Sequence, residues 1–359
     1  MSDAGADVTA PREVSAPVAA PLALALIGTG GVGRNVTRLV RGRPQYRLAA
    51  AYSRNPTHQR QDIGSLAGGG PLGVTVSGDR NSVLEAGADV LLVATTSFLS
   101  EVADHIEAGL AAGMDVLTTA EEAAFPWILD EALATRLHQA ALAAGRSVLG
   151  AGLNPGFIFD TLLLTASAIA WDVRSIAIRR VVDVSGFSAT VQQRLGIGFT
   201  ADEFAGGVAE ERITGHIGFP QSFHLAAASM GKSIQRIDKA FEPLLAAENL
   251  AGASLTVRAG TTGGFVQRYT AYCDDAPWMS AEFVAHVAPG SVGCRTTDEI
   301  TIDGYNGLHL TLDPGCQPQL GTAAMLANVM PRLREAPAGF ITVADLRIPH
   351  TRPSSATFD

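Results

Sequence analysis

The run LALALIGTGGVGRN, Leu22 to Asn35, constrains the fold of this chain more than any other segment. Its unbroken apolar start reads as a buried strand of a parallel sheet, and the glycines that follow stand where that strand hands over to a helix. The spacing is Gly28-x-Gly30-x-x-Gly33. Gly28 supplies a tight turn, Gly30 lets the main chain approach a pyrophosphate, and Gly33 lets helix and strand pack closely. The helix start then offers unpaired N–H groups to an anion. With Thr29 and Val32 between them, these residues predict a dinucleotide-binding loop.

The rest of the first half repeats this alternation. RLAAAYS, DVLLVATT, DVLTTA and SVLGAGL are short apolar runs, and EVADHIEAGLAAG and the segment from about Trp127 to Ala144 repeat apolar residues every three or four positions. After Asn154 the texture changes. GFIFDTLLLTASAIA reads as a buried helix. SIAIRRVVDVS then alternates, with Ile176, Ile178, Arg180, Val182 and Val184 on one face and Ala177, Arg179, Val181 and Asp183 on the other. SLTVRAG, FVQRYTAYC, AEFVAHVAP, DEITIDG and LHLTLDPG follow as short strands between turn residues. GTAAMLANVMPRLREA reads as a helix and FITVADL as a closing strand. The expectation is an α/β chain with a Rossmann-type parallel-sheet domain over 22–153 and 318–359. An α+β substrate and dimerisation domain with a mostly antiparallel sheet spans 154–317, and residues 1–21 form a loose tail.

Composition narrows the partners. The 359 residues carry a net charge of -9 with 47% apolar residues, which predicts a soluble globular protein with room for two domains. Without a Lys/Arg block it is not expected to bind nucleic acid. Asp3, Asp7 and Glu13 spoil a signal peptide, and no apolar run is long enough to cross a bilayer. Cys273, Cys294 and Cys316 form no CxxC pair, so they read as packing residues of a protein in a reducing cytosol.

The end of the second strand selects the cofactor. An acid there would accept from a ribose 2′-hydroxyl, whereas a 2′-phosphate needs donors and positive charge. The sequence is YSRN: Ser53, Arg54 and Asn55, with no acid. Arg54 then faces the phosphate through its planar donor fork, or it is a solvated loop arginine. NADP(H) is preferred and NAD(H) possible.

Ligands of open α/β sheets lie beyond the carboxyl ends of the strands. That places ATTS, with Thr95 and Thr96, TTAEE, with Thr119, Glu121 and Glu122, and GLNPGF, with Asn154, Pro155 and Phe157, around one crevice. The two glutamates either open the next helix, which Pro126 supports, or one faces the nicotinamide while the other caps or meets solvent. Asn154 holds a substrate amine, holds the nicotinamide carboxamide, or is a structural turn residue.

VLTTAEEAAFP, VLGAGLNPGFIFD, RRVVDVS with GIGFTADEF, DEITIDG and TAAMLANVMPRLREAPAGFITVADL together resemble the 2,4-diaminopentanoate dehydrogenases and related native amine dehydrogenases, over nearly the whole chain after the tail. Their nucleotide domain is similar to that of dihydrodipicolinate reductase. The resemblance implies NAD(P)-dependent, reversible oxidative deamination of an amine to a ketone or aldehyde and ammonia; the cysteine usage makes the expected location cytoplasmic. A homodimer is expected on general grounds, since an antiparallel sheet of this size often buries a face against a second copy. The family's catalytic glutamate falls four residues before the proline, at Glu122, and Arg180 would meet a substrate carboxylate. Arg179 or Arg180 instead pairs with Asp183 or lines a dimer interface. The chain departs from the pattern at Val182, where a polar residue is expected, and in RAGTTGGFVQRYTAY, which offers Gln267 and Arg268 but no histidine. A less polar pocket points to simple amines or carbonyls rather than the diamino acid.

Other chemistries fit less well. Semialdehyde dehydrogenase chemistry needs a cysteine nucleophile in a strand-to-helix turn, and none of the three occupies one. No HHxxxK or G-x-S-x-G pattern is present. His216 and His224, with Glu210 and Glu211 upstream, match no metal-ligand spacing and read as solvated helix residues, so no metal is expected. A non-catalytic NADP sensor is the alternative of a different class.

Overall fold

The computed structural model describes residues 20–251 and 255–351. Residues 1–19 of the expected tail and 352–359 of the closing segment lie outside them. The chain lays down β1 (Leu22–Ile27), β2 (Tyr46–Tyr52), β3 (Val76–Ser77), β4 (Val90–Val93), β5 (Asp115–Thr118) and β6 (Ser147–Gly150). There follow β7 (Asp172–Asp183), β8 (Arg236–Leu245), the short pair β9 (Leu250–Ala251) and β10 (Thr256–Val257), β11 (Thr262–Cys273), β12 (Ala276–His286), β13 (Thr297–Tyr305), β14 (Leu308–Leu312) and β15 (Gly339–Ile341).

Seven strands form one sheet in the order β15-β6-β5-β4-β1-β2-β3, parallel throughout. Its crossovers carry α1 (Gly31–Arg41), the single turns α2 (Ile63–Leu66) and α3 (Asn81–Leu84), α4 (Leu99–Ala111) and α5 (Glu131–Ala144). The apolar run of β1 is explained by burial on both faces. Leu24 and Leu26 pack with Val36 and Val40 of α1, whereas Ala25 and Ile27 pack with Val102 and Ile106 of α4. Each fully buried Leu or Ile of this kind contributes about 1.5–3 kcal/mol relative to exposure.

α6 (Leu163–Ser167) precedes β7, and α7 (Ala189–Arg194), α8 (Ala201–Ala209) and α9 (Phe219–Ser229) follow between β7 and β8. The second sheet runs β14-β13-β7-β12-β11-β8. Only its β12–β7 pair is parallel, so it is mixed but mostly antiparallel. Ile176 and Ile178 of β7 pack with Phe219 and Phe223 of α9 in its main core, on the face the alternation predicted. The last helix, α10 (Pro318–Leu333), returns to the first sheet, where Tyr46 donates to the Ala327 carbonyl at 2.6 Å. β15 then pairs with β6.

Two local expectations are corrected. No long helix begins at Glu121: the segment makes 3-10 turns at Glu121–Ala124 and Pro126–Ile128, and α5 starts only at Glu131, capped by Asp130. GFIFDTLLLTASAIA is not one regular helix either. Gly156, at φ +128°, turns the chain into a wide helical turn over Phe157–Leu162 before α6.

Candidate active site

The chain leaves β1 in one direction towards β2 and crosses to β4 on the other side, so a crevice opens beyond the carboxyl ends of these strands. The glycine loop forms its floor. A Cβ on Gly28, at φ +104°, would lie 2.2 Å from the Ala94 carbonyl oxygen, and one on Gly33 would lie 2.0 Å from that of Gly28. Gly30 faces open space, with nothing within 4 Å of its would-be Cβ. No side chain caps α1, so its first N–H groups are left for an anion. This cradle fits the pyrophosphate of a dinucleotide.

Two adjoining cavities share Gly30, Ala94 and Thr95. The smaller, 260 Å³, is lined by Gly28, Thr29, Ser53, Arg54 and Asn55, all expected at the cofactor, and also by His58 and His105. Thr29 Oγ1 lies 2.8 Å from Ser53 Oγ and 2.7 Å from His58 Nδ1. No carboxylate lines it, and Arg54 is exposed at its rim.

The larger cavity, 480 Å³, lies between the two sheets. Gly30, Val32, Thr95, Thr96, Thr119, Glu121 and Asn154 reach it from the first sheet and Arg180, Val182, Val184, Phe283 and Ala285 from the second. Phe187, Val191 and Leu195, in and around α7, add apolar wall. His216 closes a polar chain at the bottom. Its Nδ1 is 2.8 Å from Glu121 Oε2 and its Nε2 is 2.7 Å from Asn154 Nδ2. Through Nδ1 the ring donates to the carboxylate, and Nε2 faces the Asn154 amide.

Glu121 is held from every side. Oε2 also accepts from the N–H groups of Ile217 at 3.1 Å and Gly218 at 2.9 Å, and Oε1 accepts from the Ser97 hydroxyl at 2.9 Å. Burial alone would raise its pKa, but the His216 ring, Ser97 and the Gly218 N–H outweigh it and hold the carboxyl below its usual range. Glu121 is therefore an anion at neutral pH. Asn154 Oδ1 is buried without a hydrogen-bond partner.

Glu122, expected at the cofactor, is placed away from the crevice. It does not line either cavity. Its Oε2 accepts from the Leu99 N–H at 2.7 Å, at the start of α4, where Phe98 offers no side-chain cap. The cause is the 3-10 turn, which points adjacent side chains in different directions. Pro155 and Phe157, expected at the substrate, also lie outside the cavity lining. The Pro155 ring packs against Gly218, and Phe157 packs against the cores of both sheets.

Arg180 lines the cavity, yet its charge is already matched. Asp298, its register partner on β13, stands 3.0 Å from Nη1, with both side chains at most 2% exposed. Nη2 donates to the Cys316 carbonyl at 2.9 Å, and Asp298 accepts from the Cys316 N–H at 2.7 Å. The partner is thus neither Asp183 nor, in the first place, a ligand. Arg179 points the other way, to Glu282 at 2.9 Å.

His216, Ser97 and Asp160 are the site residues that sequence reasoning missed. His216 is not a solvated helix residue: it stands in ITGHIGFP, a loop whose Gly215, Gly218 and Pro220 announce irregular backbone ahead of α9. Gln267, noted only as standing where no histidine occurs, fixes that loop by accepting from the His216 N–H at 2.9 Å. His224 is on α9, stacked beside Phe125. Behind the site, Asp160 accepts from the Gly156 N–H at 2.5 Å and from Ser222 at 3.1 Å, and burial pushes its pKa up to about 6. Among the described residues no group of His, Cys, Asp and Glu is arranged to hold a metal, and no helix is long and apolar enough to cross a membrane.

A Rossmann-type sheet with a glycine cradle, opening on a cavity that holds a buried carboxylate, defines a nicotinamide-nucleotide-dependent oxidoreductase. Comparison with known proteins narrows the class. Residues 22–119 match the family model described as dihydrodipicolinate reductase, N-terminus, and residues 157–357 match that of the 2,4-diaminopentanoate dehydrogenase C-terminal domain. The chain is 31% identical over 285 residues to the 2,4-diaminopentanoate dehydrogenase of Acetoanaerobium sticklandii, covering 77% of this chain and 81% of that one. It belongs to the 2,4-diaminopentanoate dehydrogenase family, NAD(P)-dependent oxidoreductases of the amine dehydrogenase type. Its fold is shared with an amine dehydrogenase from Mycobacterium smegmatis, at a TM-score of 0.83 and 22% identity over 93% of this chain and 98% of that one. A probable dehydrogenase from Thermotoga maritima is more distant, at a TM-score of 0.57 and 12% identity over 90% and 92%.

Proposed function

We propose that the protein interconverts a simple amine, one that carries no carboxylate, with its ketone or aldehyde and ammonia, using NADP(H), and that Glu121 with His216 manages the protons. One observation carries this reading: the chain Glu121–His216–Asn154, at 2.8 and 2.7 Å, ends in the cavity beside Gly30 and Thr95.

The nicotinamide, when bound, supplies the hydride acceptor or donor. An ammonium has no lone pair to stabilise a cation forming on its carbon, so a proton must leave nitrogen first. Glu121 Oε1, which accepts one hydrogen bond, from the Ser97 hydroxyl, is the oxygen with capacity to receive it. His216 and the two backbone amides hold Oε2, fixing the carboxylate's direction. Once that proton has passed on to solvent, the regenerated carboxylate stabilises the iminium electrostatically and then takes a proton from the attacking water. Asn154 Oδ1, the unpaired acceptor, positions the substrate nitrogen by taking one of its N–H bonds.

The substrate class follows from Arg180. The Arg180 guanidinium is already ion-paired with Asp298, although its Nη1 makes no hydrogen bond, and Val182, Val184, Phe187 and Phe283 offer an apolar wall. The second reading, the diamino acid named for the Acetoanaerobium relative, draws on Arg180 being at the cavity at all. NADP(H) is favoured by Arg54 and by the absence of an acid around the smaller cavity.

We assign 22–153 with 318–359 to the nucleotide unit and 154–317 to the substrate unit. The proposed homodimer uses the outer face of the second sheet, where Arg179, Arg268, Glu282 and Glu242 alternate in sign. The free thiols of Cys273, Cys294 and Cys316 suit the reducing cytosol that we propose as its compartment.

The test is loss of NADPH absorbance with ammonia across short ketones, aldehydes and 2-amino-4-oxopentanoate. Simple carbonyls should be consumed faster than the amino acid. Preference for the amino acid would favour the second reading, and binding of NADPH without turnover on any carbonyl would favour a sensor.

A further inference from the structure

The smaller cavity holds a side chain that the proposed chemistry leaves idle. His105 stands on α4, beyond the carboxyl end of β4, and lines the cavity together with Arg54 and His58. Its Nδ1 is buried and has no hydrogen-bond partner. A half-buried imidazole nitrogen with no partner in the folded chain is a group kept for a ligand.

The surrounding charges say which ligand. Arg54, from the segment after β2, and Arg80, from the turn before α3, both act on His105 through space, opposed only by Asp104 of its own helix. Neither arginine takes part in an ion pair among the described residues. The other titratable groups lining the cavity are Tyr52 and His58, the latter turned to Thr29 Oγ1 at 2.7 Å. Arg54 at the cavity beside Ser53 and Asn55, with Arg80 near enough to act on His105, forms a cationic receptor for a compact dianion.

We propose that His105 is a cofactor-specificity residue that joins Arg54 and Arg80 on the 2′-phosphate of NADP(H) and takes up one proton from solvent as the phosphate enters. The inference builds on the NADP(H) reading above. Before binding, burial and the two arginines keep His105 below the ordinary histidine range, so the ring waits neutral. The phosphate, a monoester with a second pKa of about 6, arrives as a dianion and reverses the local field. The balance is a neutral imidazole, a phosphate dianion and a solvent proton giving an imidazolium–phosphate pair. NAD(H), with a 2′-hydroxyl, brings no charge and draws no proton.

The experiment measures Kd for NADP+ and NAD+ from pH 7 to 9 in the wild-type protein and in His105→Gln, with heats of binding in two buffers of different ionisation enthalpy. For the wild type, Kd for NADP+ should rise by about tenfold per pH unit, the slope of one linked proton, with that for NAD+ staying level. In H105Q the slope should vanish and the NADP+/NAD+ preference at pH 7 should fall by about tenfold or more, the loss of one charged hydrogen bond. That preference is a ratio within one variant, so a general loosening of the pocket leaves it in place. A slope that survives in H105Q shows the phosphate itself carrying the proton and overturns the proposal. NADP+ preferred but independent of pH also overturns it while sparing the cofactor reading. No NADP+ preference at any pH overturns both.

Discussion

Replacing each of two adjacent glutamates by glutamine separates the reasoning most sharply. Glu121→Gln is close to isosteric: the amide oxygen can stay under the N–H groups of His216, Ile217 and Gly218, and the amide nitrogen can donate to Ser97. The fold is kept and the charge is lost. Exchanging charge-assisted for neutral bonds costs on the order of 1 kcal/mol, partly offset by no longer burying an anion. Turnover loses its base and the counter-charge to the iminium, which corresponds to roughly two to four orders of magnitude, or about 3–5 kcal/mol in the barrier. Glu122→Gln keeps an acceptor for the Leu99 N–H and loses only the interaction of its charge with the α4 dipole, about 0.3–1 kcal/mol. The assay is NADPH-dependent amination by each variant, with nucleotide affinity from fluorescence and stability from urea unfolding. The linkage has a definite sign. The folded pKa of Glu121 is lowered, so its stabilisation is present above about pH 4.5 and lost as pH falls through the folded value, and the wild type and E121Q should converge in stability at acid pH. An E122Q protein without turnover beside a fully active E121Q would refute the reasoning.

Two further outcomes are expected. Arg54→Asp should reverse the cofactor preference, because an acid at the end of β2 repels a 2′-phosphate and accepts from a 2′-hydroxyl; an unchanged ratio of kcat/KM for NADP and NAD would remove Arg54 from the phosphate site. Asp160, raised from 3.8 to about 6 by burial, binds its proton more tightly folded than unfolded, so it subtracts stability as pH climbs through that window. Unfolding free energies at pH 4 and pH 7 should therefore differ between wild type and Asp160→Asn by on the order of 3 kcal/mol, and parallel pH curves would show that Asp160 does not titrate there.

The parallel sheet was readable because its determinants are local in sequence. An apolar run buried on both faces, a glycine turn and an amphipathic crossover are each visible within fifteen residues, as LALALIGTGGVGRN shows. The site was readable only to the level of segments. TTAEE and GLNPGF were placed correctly at the crevice, but the direction of each side chain depends on a 3-10 turn that no hydrophobic period reports. Arg180 illustrates the same limit from the other side. Its place on the apolar face of β7 was plain, whereas its partner Asp298 lies on a strand more than a hundred residues later, and only the β7–β13 register brings them together. His216 depends on three segments at once, the loop before α9, Glu121 and Gln267, so spacing along the chain carries no trace of it.

The adjacency of the two acids has a structural logic that outlasts the reassignment between them. The Glu122 N–H donates to the Ser97 carbonyl at 3.2 Å, the Ser97 hydroxyl donates to Glu121, and the Glu122 carboxylate accepts from Leu99. The pair thereby stitches the corner after β5 to the corner after β4. Thr95, Thr96 and Ser97 are fixed at the larger cavity by that stitch, and His105 follows on the same helix at the smaller one. Glu122 thereby positions the start of α4 relative to both cavities, a bond that an oxygen acceptor in glutamine would largely preserve and an alanine would not. The buried charge at the larger cavity and the clamp that aligns the helix stand side by side because one short turn serves both strands.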